Sequence, residues 1–147
     1  MLLNFFTKLP IPNKIPDAMQ KIAEELSRSV DKEDCLKRAH QIMTRKFRGY
    51  RFRTCTKIHL AFETDLKKLW SRDGFLHCHT MNYLLRVLLV KSGWFDDLDI
   101  QFGYSLVWYV SPHQYLRVRI GENKYINMDV WNHHYGKKFG DYAHGFH

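Results

Sequence analysis

The chain has 147 residues, of which 45% are hydrophobic and 15% aromatic, a composition that supports one domain with a real core and excludes a disordered chain. Its formal net charge is +8, which bears on partners rather than on fold. Three cysteines, Cys35, Cys55 and Cys78, are too few and too odd a set for a disulfide scaffold, and fit a reducing, cytoplasmic setting.

The opening MLLNFFTKLPIPNKIP lacks a basic n-region and a small-residue cleavage site, and three prolines interrupt it. Residues 1–16 therefore read as an N-terminal extension and not as a signal peptide. Ala18, Met19, Ile22, Ala23, Leu26 and Val30 recur at helical spacing, which predicts an amphipathic helix from residue 17 to about 29. Asp31 suits the N-cap of a second helix, with Glu33 and Asp34 in its first turn and Leu36, Ala39, Ile42, Met43 and Phe47 on its apolar face. Gly49 lies just past its end. Residues 50–62 fit either an extended segment or a loop. Phe62, Leu66, Leu69 and Trp70 predict a short helix ending before Asp73-Gly74.

Next comes GFLHCHTMNYLLRVLLVKSG, residues 74–93. From Thr80 to Lys91 the residues are mostly apolar, so this helix is covered on most of its circumference, and Gly93 supplies its stop. The apolar run Leu84 to Val90 is interrupted by Arg86 and falls short of the about 20 residues that span a bilayer, so no membrane partner is expected. Beyond it, residues 100–110, 114–120 and 124–131 are rich in β-branched and aromatic residues and predict three strands. A loop of three residues at 121–123 separates the last two, with Asn123 suited to the left-handed position. Helices followed by an antiparallel sheet define an α+β domain. Residues 1–147 read as that one domain, closed by a loop-like, histidine-rich tail at 132–147.

Cys78 falls in the first turn of the buried helix, where unpaired N–H groups and the helix dipole favour a thiolate. A thiolate nucleophile needs a base, and the base needs a third group to fix its tautomer. His113 and Asp129 sit on the predicted hairpin. A loop of three residues pairs Tyr115 with Asp129, which puts His113 and Asp129 on one sheet face at a diagonal offset; a loop of two would put them on opposite faces.

The pieces LHCHTMNYLLRVLLVKSG, SPHQYLRVRI and KYINMDVW, within Gly74 to Trp131, resemble the transglutaminase-like superfamily. That resemblance implies a papain-like α+β fold, with Cys78 as nucleophile, His113 as base and Asp129 as orienting carboxylate. Tyr115 matches an aromatic residue two positions after the family's His. The family's oxyanion helper is an upstream side chain, for which Trp70 is the candidate, beside the Cys78 backbone N–H. The site-adjacent His77 and His79 depart from the family pattern, which has a small residue before the Cys and Gly or Trp after it.

The implied activity is thiol-dependent chemistry on an amide bond of a peptide or protein: a peptidase, amidase, deamidase or transglutaminase. No cofactor is expected. His77, Cys78 and His79, with tail residues His133, His134, His144 and His147, lack the usual zinc spacings, so no metal is expected either. Between Lys37 and Lys57 there is no acidic residue, while RKFRGYRFRTCTK carries Arg45, Lys46, Arg48, Arg51, Arg53 and Lys57 among Phe47, Tyr50 and Phe52. Such a segment either solvates one face, steers an acidic substrate, or makes the chain a non-catalytic module that binds nucleic acid or an acidic partner.

Overall fold

The structure, a computed structural model, describes residues 3–145. The first two residues of the N-terminal extension and the last two of the tail, His147 among them, lie outside the described residues. The fold is mixed α+β: a helical N-terminal half, a two-stranded parallel sheet, and a three-stranded antiparallel sheet at the C-terminal end. Among the described residues, no helix is long and apolar enough to cross a membrane.

A single helical turn, α1 (Leu3–Phe6), is followed by α2 (Asp17–Ser27), which buries Met19, Ala23 and Leu26 along one stripe. It stops short of the predicted end, so Val30 is 79% exposed instead of lining the stripe. α3 (Lys32–Lys46) begins as its cap predicts: the Asp31 side chain accepts from the Asp34 N–H at 2.7 Å. Glu33 and Asp34 complement the positive end of the helix dipole, and Arg45 and Lys46 the negative end.

The chain leaves α3 as β1 (Phe47–Arg48), which pairs in parallel with β2 (Gly74–Phe75). Between them residues 50–62 are neither extended nor a simple loop. They form α4 (Arg51–Thr56) and a 3-10 helix, Ile58–Phe62, because this polar segment pairs its backbone groups locally where no strand lies alongside. α5 (Leu66–Trp70) follows, with the Asp65 side chain accepting from the Lys68 N–H at 2.8 Å.

From β2 the chain runs through Leu76 and His77 directly into α6 (Cys78–Lys91). Leu84, Leu85, Leu88 and Leu89 are fully buried, each contributing about 1.5–3 kcal/mol. α6 packs against α2, α3 and the middle strand of the antiparallel sheet, so its N-terminal end has a fixed place relative to that sheet. Arg86 is also fully buried, in ion-pair contact with Asp97 at 2.9 Å and donating to the Leu9 carbonyl. That contact ties the N-terminal extension to the helix. Gly93 ends the helix with φ +84°, a conformation that costs glycine little.

The sheet is β3 (Ile100–Val107), β4 (Ser111–Gly121) and β5 (Lys124–Met128), antiparallel in that order. β3 ends three residues early because Trp108 and Tyr109 turn left-handed, at φ 56° and 58°. β5 ends before Asp129. The β4–β5 turn has two residues, not three: Gly121 pairs with Lys124. Ile120 is an extra residue on β4, and beyond it the register is Arg119–Tyr125 through Leu116–Met128. That register is the one a three-residue loop would give. The bulge restores the parity that the shorter turn removes.

Candidate active site

Cys78 opens α6, and its neighbours come from three parts of the chain. The side chains of His113 and His79 and the backbone N–H of Gln114 stand against the sulfur and favour its thiolate form. His113 and Gln114 are consecutive on β4, so one strand supplies an imidazole and a main-chain donor together. On its other side His113 Nε2 lies 2.9 Å from Asp129 Oδ2. With Nε2 engaged by the carboxylate, Nδ1 is the ring nitrogen left for the thiol. The structure thus brings Cys78, His113 and Asp129 into one chain of contacts.

Asp129 is 2% exposed and surrounded by donors. Its Oδ2 also accepts from the Ala143 N–H at 2.8 Å, and its Oδ1 from the Asn132 N–H at 3.2 Å. The Asn132 amide lies 3.1 Å from Oδ2 and 3.0 Å from His113 Nε2. Within the described residues, 132–145 are therefore not merely a loop-like tail. Trp131–Tyr135 form a 3-10 helix, and Ala143, fully buried and held by Ser105 Oγ at 2.6 Å, closes over the carboxylate. The nearby Tyr115 ring stacks on Tyr142 at 4.4 Å, bracing the same tail against β4.

These contacts set the charge state. Burial by itself would raise the Cys78 pKa, but the His113 and His79 hydrogen bonds, the His113 charge and the Gln114 N–H outweigh it, lowering the value to about 6. Burial would lower the His113 pKa, yet the Asp129 hydrogen bond and charge, with a smaller part from Cys78, hold it well above the ordinary histidine range. The pair rests near neutral pH as thiolate and imidazolium.

Each of the two unusual histidines flanking Cys78 has its own carbonyl. A carbonyl can only accept, so His79 Nε2–H donates to Ala61 O at 2.8 Å and His77 Nε2–H to Thr54 O at 3.1 Å. His79 thereby turns its other nitrogen towards the sulfur. His77 lines the same cavity as Cys78 and packs against the Phe75 ring at 5.0 Å, and burial lowers its pKa.

Cys78 and His113 lie in the wall of a cavity of about 230 Å³, shared with Arg51, Cys55, Val107, Trp108, Pro112 and Trp131. Trp70 does not line it. Its indole instead packs on Phe47 at 5.6 Å, with Lys46 Nζ above the ring at 5.1 Å, because α5 turns this residue towards β1. The indole nearest His113 is that of Trp131, 5.8 Å away, but its Nε1 donates to the Leu76 carbonyl at 2.9 Å and is not free for an oxyanion. The remaining donor set is the backbone: His77 makes no side-chain cap bond at the start of α6, so that end of the helix carries its N–H groups beside the sulfur.

The basic segment divides. Lys46 is bound to Asp73 at 2.7 Å, and Arg53 stacks over Tyr50 at 5.2 Å; with Arg45 and Arg48 they line a shallow groove. Lys57 follows α4 at its C-terminal end. Phe47 is buried and Phe52 is 85% exposed, so the aromatics do not form one surface. Arg51 alone turns into the thiol cavity.

Sequence reasoning missed Asn82, Gln114, Trp131, Asn132 and Ala143. Asn82 was findable: it lies four residues after Cys78, hence on the same helix face, and a lone amide in an apolar helix needs a buried partner. Comparison with protein-family models, curated proteins and solved structures finds no match to this chain.

Proposed function

We propose that the protein is a cysteine enzyme acting on an amide bond, with the papain-like arrangement that the transglutaminase-like superfamily uses. What supports this reading above all is His113, set against the Cys78 sulfur on one side and hydrogen-bonded to Asp129 on the other. The Cys78 thiolate attacks the substrate carbonyl, and the developing oxyanion is met by the N–H groups at the start of α6. His113 Nδ1 gives its proton to the leaving amine as the C–N bond breaks, leaving a thioester on Cys78. Water or a second amine then attacks the thioester, His113 accepts the incoming proton, and the thiolate returns. Asp129 holds the imidazole in place and balances its charge.

Site-resolved labelling with iodoacetamide tests the reading. Cys78 labels fastest near neutral pH. Cys35, buried and with its pKa raised by that burial, labels slowly, and the exposed Cys55 labels at an ordinary thiol rate. His113→Ala removes the advantage of Cys78. Equally slow labelling of all three, unaffected by His113→Ala, would sink the proposal.

A further inference from the structure

Arg51 has an environment that the thiol chemistry does not explain. Its guanidinium is clamped between two rings, with the Tyr135 centroid at 4.3 Å and the Trp108 centroid at 5.2 Å. Its backbone N–H donates to the Tyr135 hydroxyl at 3.0 Å, which fixes the start of α4 against the 3-10 helix. Beyond these rings the guanidinium calls for an acceptor. Among the described residues none fills that role: Nε is buried without a hydrogen-bond partner, and Arg51 makes no ion pair. No Asp or Glu lines the cavity that Arg51 shares with Cys78 and His113. Asp129, the carboxylate behind His113, is already saturated by its own donors.

A guanidinium without an ion-pair partner in the wall of the thiol cavity suits a carboxylate. A carboxylate arriving in the cavity supplies the ion-pair partner that Arg51 otherwise lacks among the described residues. We propose that Arg51 is the specificity-determining residue of this site, and that the substrate is an acidic peptide or amino-acid amide whose carboxylate lies beside the scissile bond. The inference rests on the thiol reading of the preceding subsection. The carboxylate has two sources, an Asp or Glu side chain or a free α-carboxyl group, and both meet the same fork. The net charge of +8 draws either towards the cleft.

The test separates this inference from the chemistry it rests on. Iodoacetate and iodoacetamide differ in carrying a carboxylate or an amide, so the ratio of their rates at Cys78 reports anion recognition without any amide turnover. Normalised to the same ratio for glutathione at pH 7 and low salt, the wild-type ratio favours iodoacetate. Arg51→Gln lowers it about fivefold, the tenfold-per-1.4 kcal/mol equivalent of one partly buried ion pair. Arg51→Lys, which keeps the charge but not the fork, falls between the two. An unchanged ratio in folded Arg51→Gln overturns the inference while leaving the thiol reading intact. Should Arg51→Gln fail to fold, the wild-type ratio must still fall with added salt, and a flat salt response overturns the inference. Failure of both reagents to label Cys78 removes the thiol reading and this one with it. Peptide pairs with Glu or Gln beside the scissile bond, and with a free or amidated C-terminus, then distinguish the two sources by kcat/KM.

Discussion

Asn82 donates both of its amide hydrogens to Gln114, one to the backbone carbonyl at 3.0 Å and one to the side-chain Oε1 at 3.1 Å. Asn82 sits one turn after Cys78 on α6, and Gln114 follows His113 on β4. The same Gln114 gives its backbone N–H to the Cys78 sulfur, and its Nε2 to the Phe5 carbonyl at 3.0 Å. One pair of buried amides therefore sets the distance between the helix that carries the thiol and the strand that carries the imidazole.

Asn82→Ala tests that link. It strips two bonds from a fully buried Gln114, at about 1–3 kcal/mol for the acceptors left unpaired, and it frees β4 to shift from α6. The expected result is a lowered melting temperature together with slower iodoacetamide labelling of Cys78 at pH 7. Loss of stability with unchanged labelling would confine Asn82 to the core.

The pH dependence follows from the two opposed shifts. Cys78, lowered to about 6, should label at a constant rate between about pH 7 and 8, and the rate should fall as pH drops through 6. In His113→Ala the profile moves up towards the ordinary thiol value of about 8.5. For stability the signs oppose. The lowered Cys78 contributes stability that is complete above the unfolded thiol value and lost as pH falls through its folded value. The raised His113 contributes stability that is complete below the unfolded histidine value of about 6.5 and lost as pH rises through its folded value. Between these two unfolded values, folding moves one proton from sulfur to imidazole without net uptake. Denaturant midpoints should therefore be flat from about pH 7 to 8 as far as this pair is concerned, and a slope over that range in wild type that vanishes in Cys78→Ser would contradict the ion-pair state.

Much of this architecture was legible because it is periodic. The stripe of α2, the Asp31 cap and the apolar wall of α6 each follow from residue spacing, since one face of each must meet the core. The hairpin parity was readable too, though for a reason that differs from the one the loop length suggests: the bulge at Ile120 carries the odd residue. Residues 50–62 were not readable, because their backbone satisfies itself in short helices with few buried side chains to set a period. Trp70 misled because helical spacing marks a buried face without saying which wall of the core that face meets. Asn132 and Ala143 were invisible because their contributions are one amide and one main-chain N–H, delivered by the return of the tail over β4.

Gly49 illustrates how closely the tail returns. A Cβ there would lie 2.3 Å from the Trp131 carbonyl oxygen and 2.4 Å from its ring, so β1 and the 3-10 helix after Asp129 touch through a missing side chain. Gly49→Ala should cost about 1–3 kcal/mol by overpacking. Because Trp131 lies between that contact and His113, it should also change tryptophan fluorescence and slow Cys78 labelling. A variant of wild-type stability and fluorescence would show that the tail can move away freely, which its hold on Asp129 forbids.

His79 supplies a further prediction, on why a second imidazole stands at the thiol. Its Nε2–H is committed to Ala61, so the ring cannot turn, and its remaining nitrogen stands at the sulfur, where a proton shared with it favours the thiolate alongside His113. Among the described residues Asp129 is held by His113, Asn132 and Ala143, so the orienting carboxylate that a proton-transferring base requires serves His113. His79 is thus assigned to positioning the thiol, and His113 to proton transfer. His79→Phe keeps a ring against Phe5, whose centroid lies 6.1 Å away, and removes both hydrogen bonds. The Cys78 labelling midpoint should rise by less than it does in His113→Ala, while amide turnover persists above the pH of the shifted midpoint. In His113→Ala turnover should be lost at every pH. The two variants are told apart by raising the pH: recovery in His79→Phe and none in His113→Ala supports the division of roles, whereas loss of turnover at all pH in folded His79→Phe would make His79 a second proton carrier.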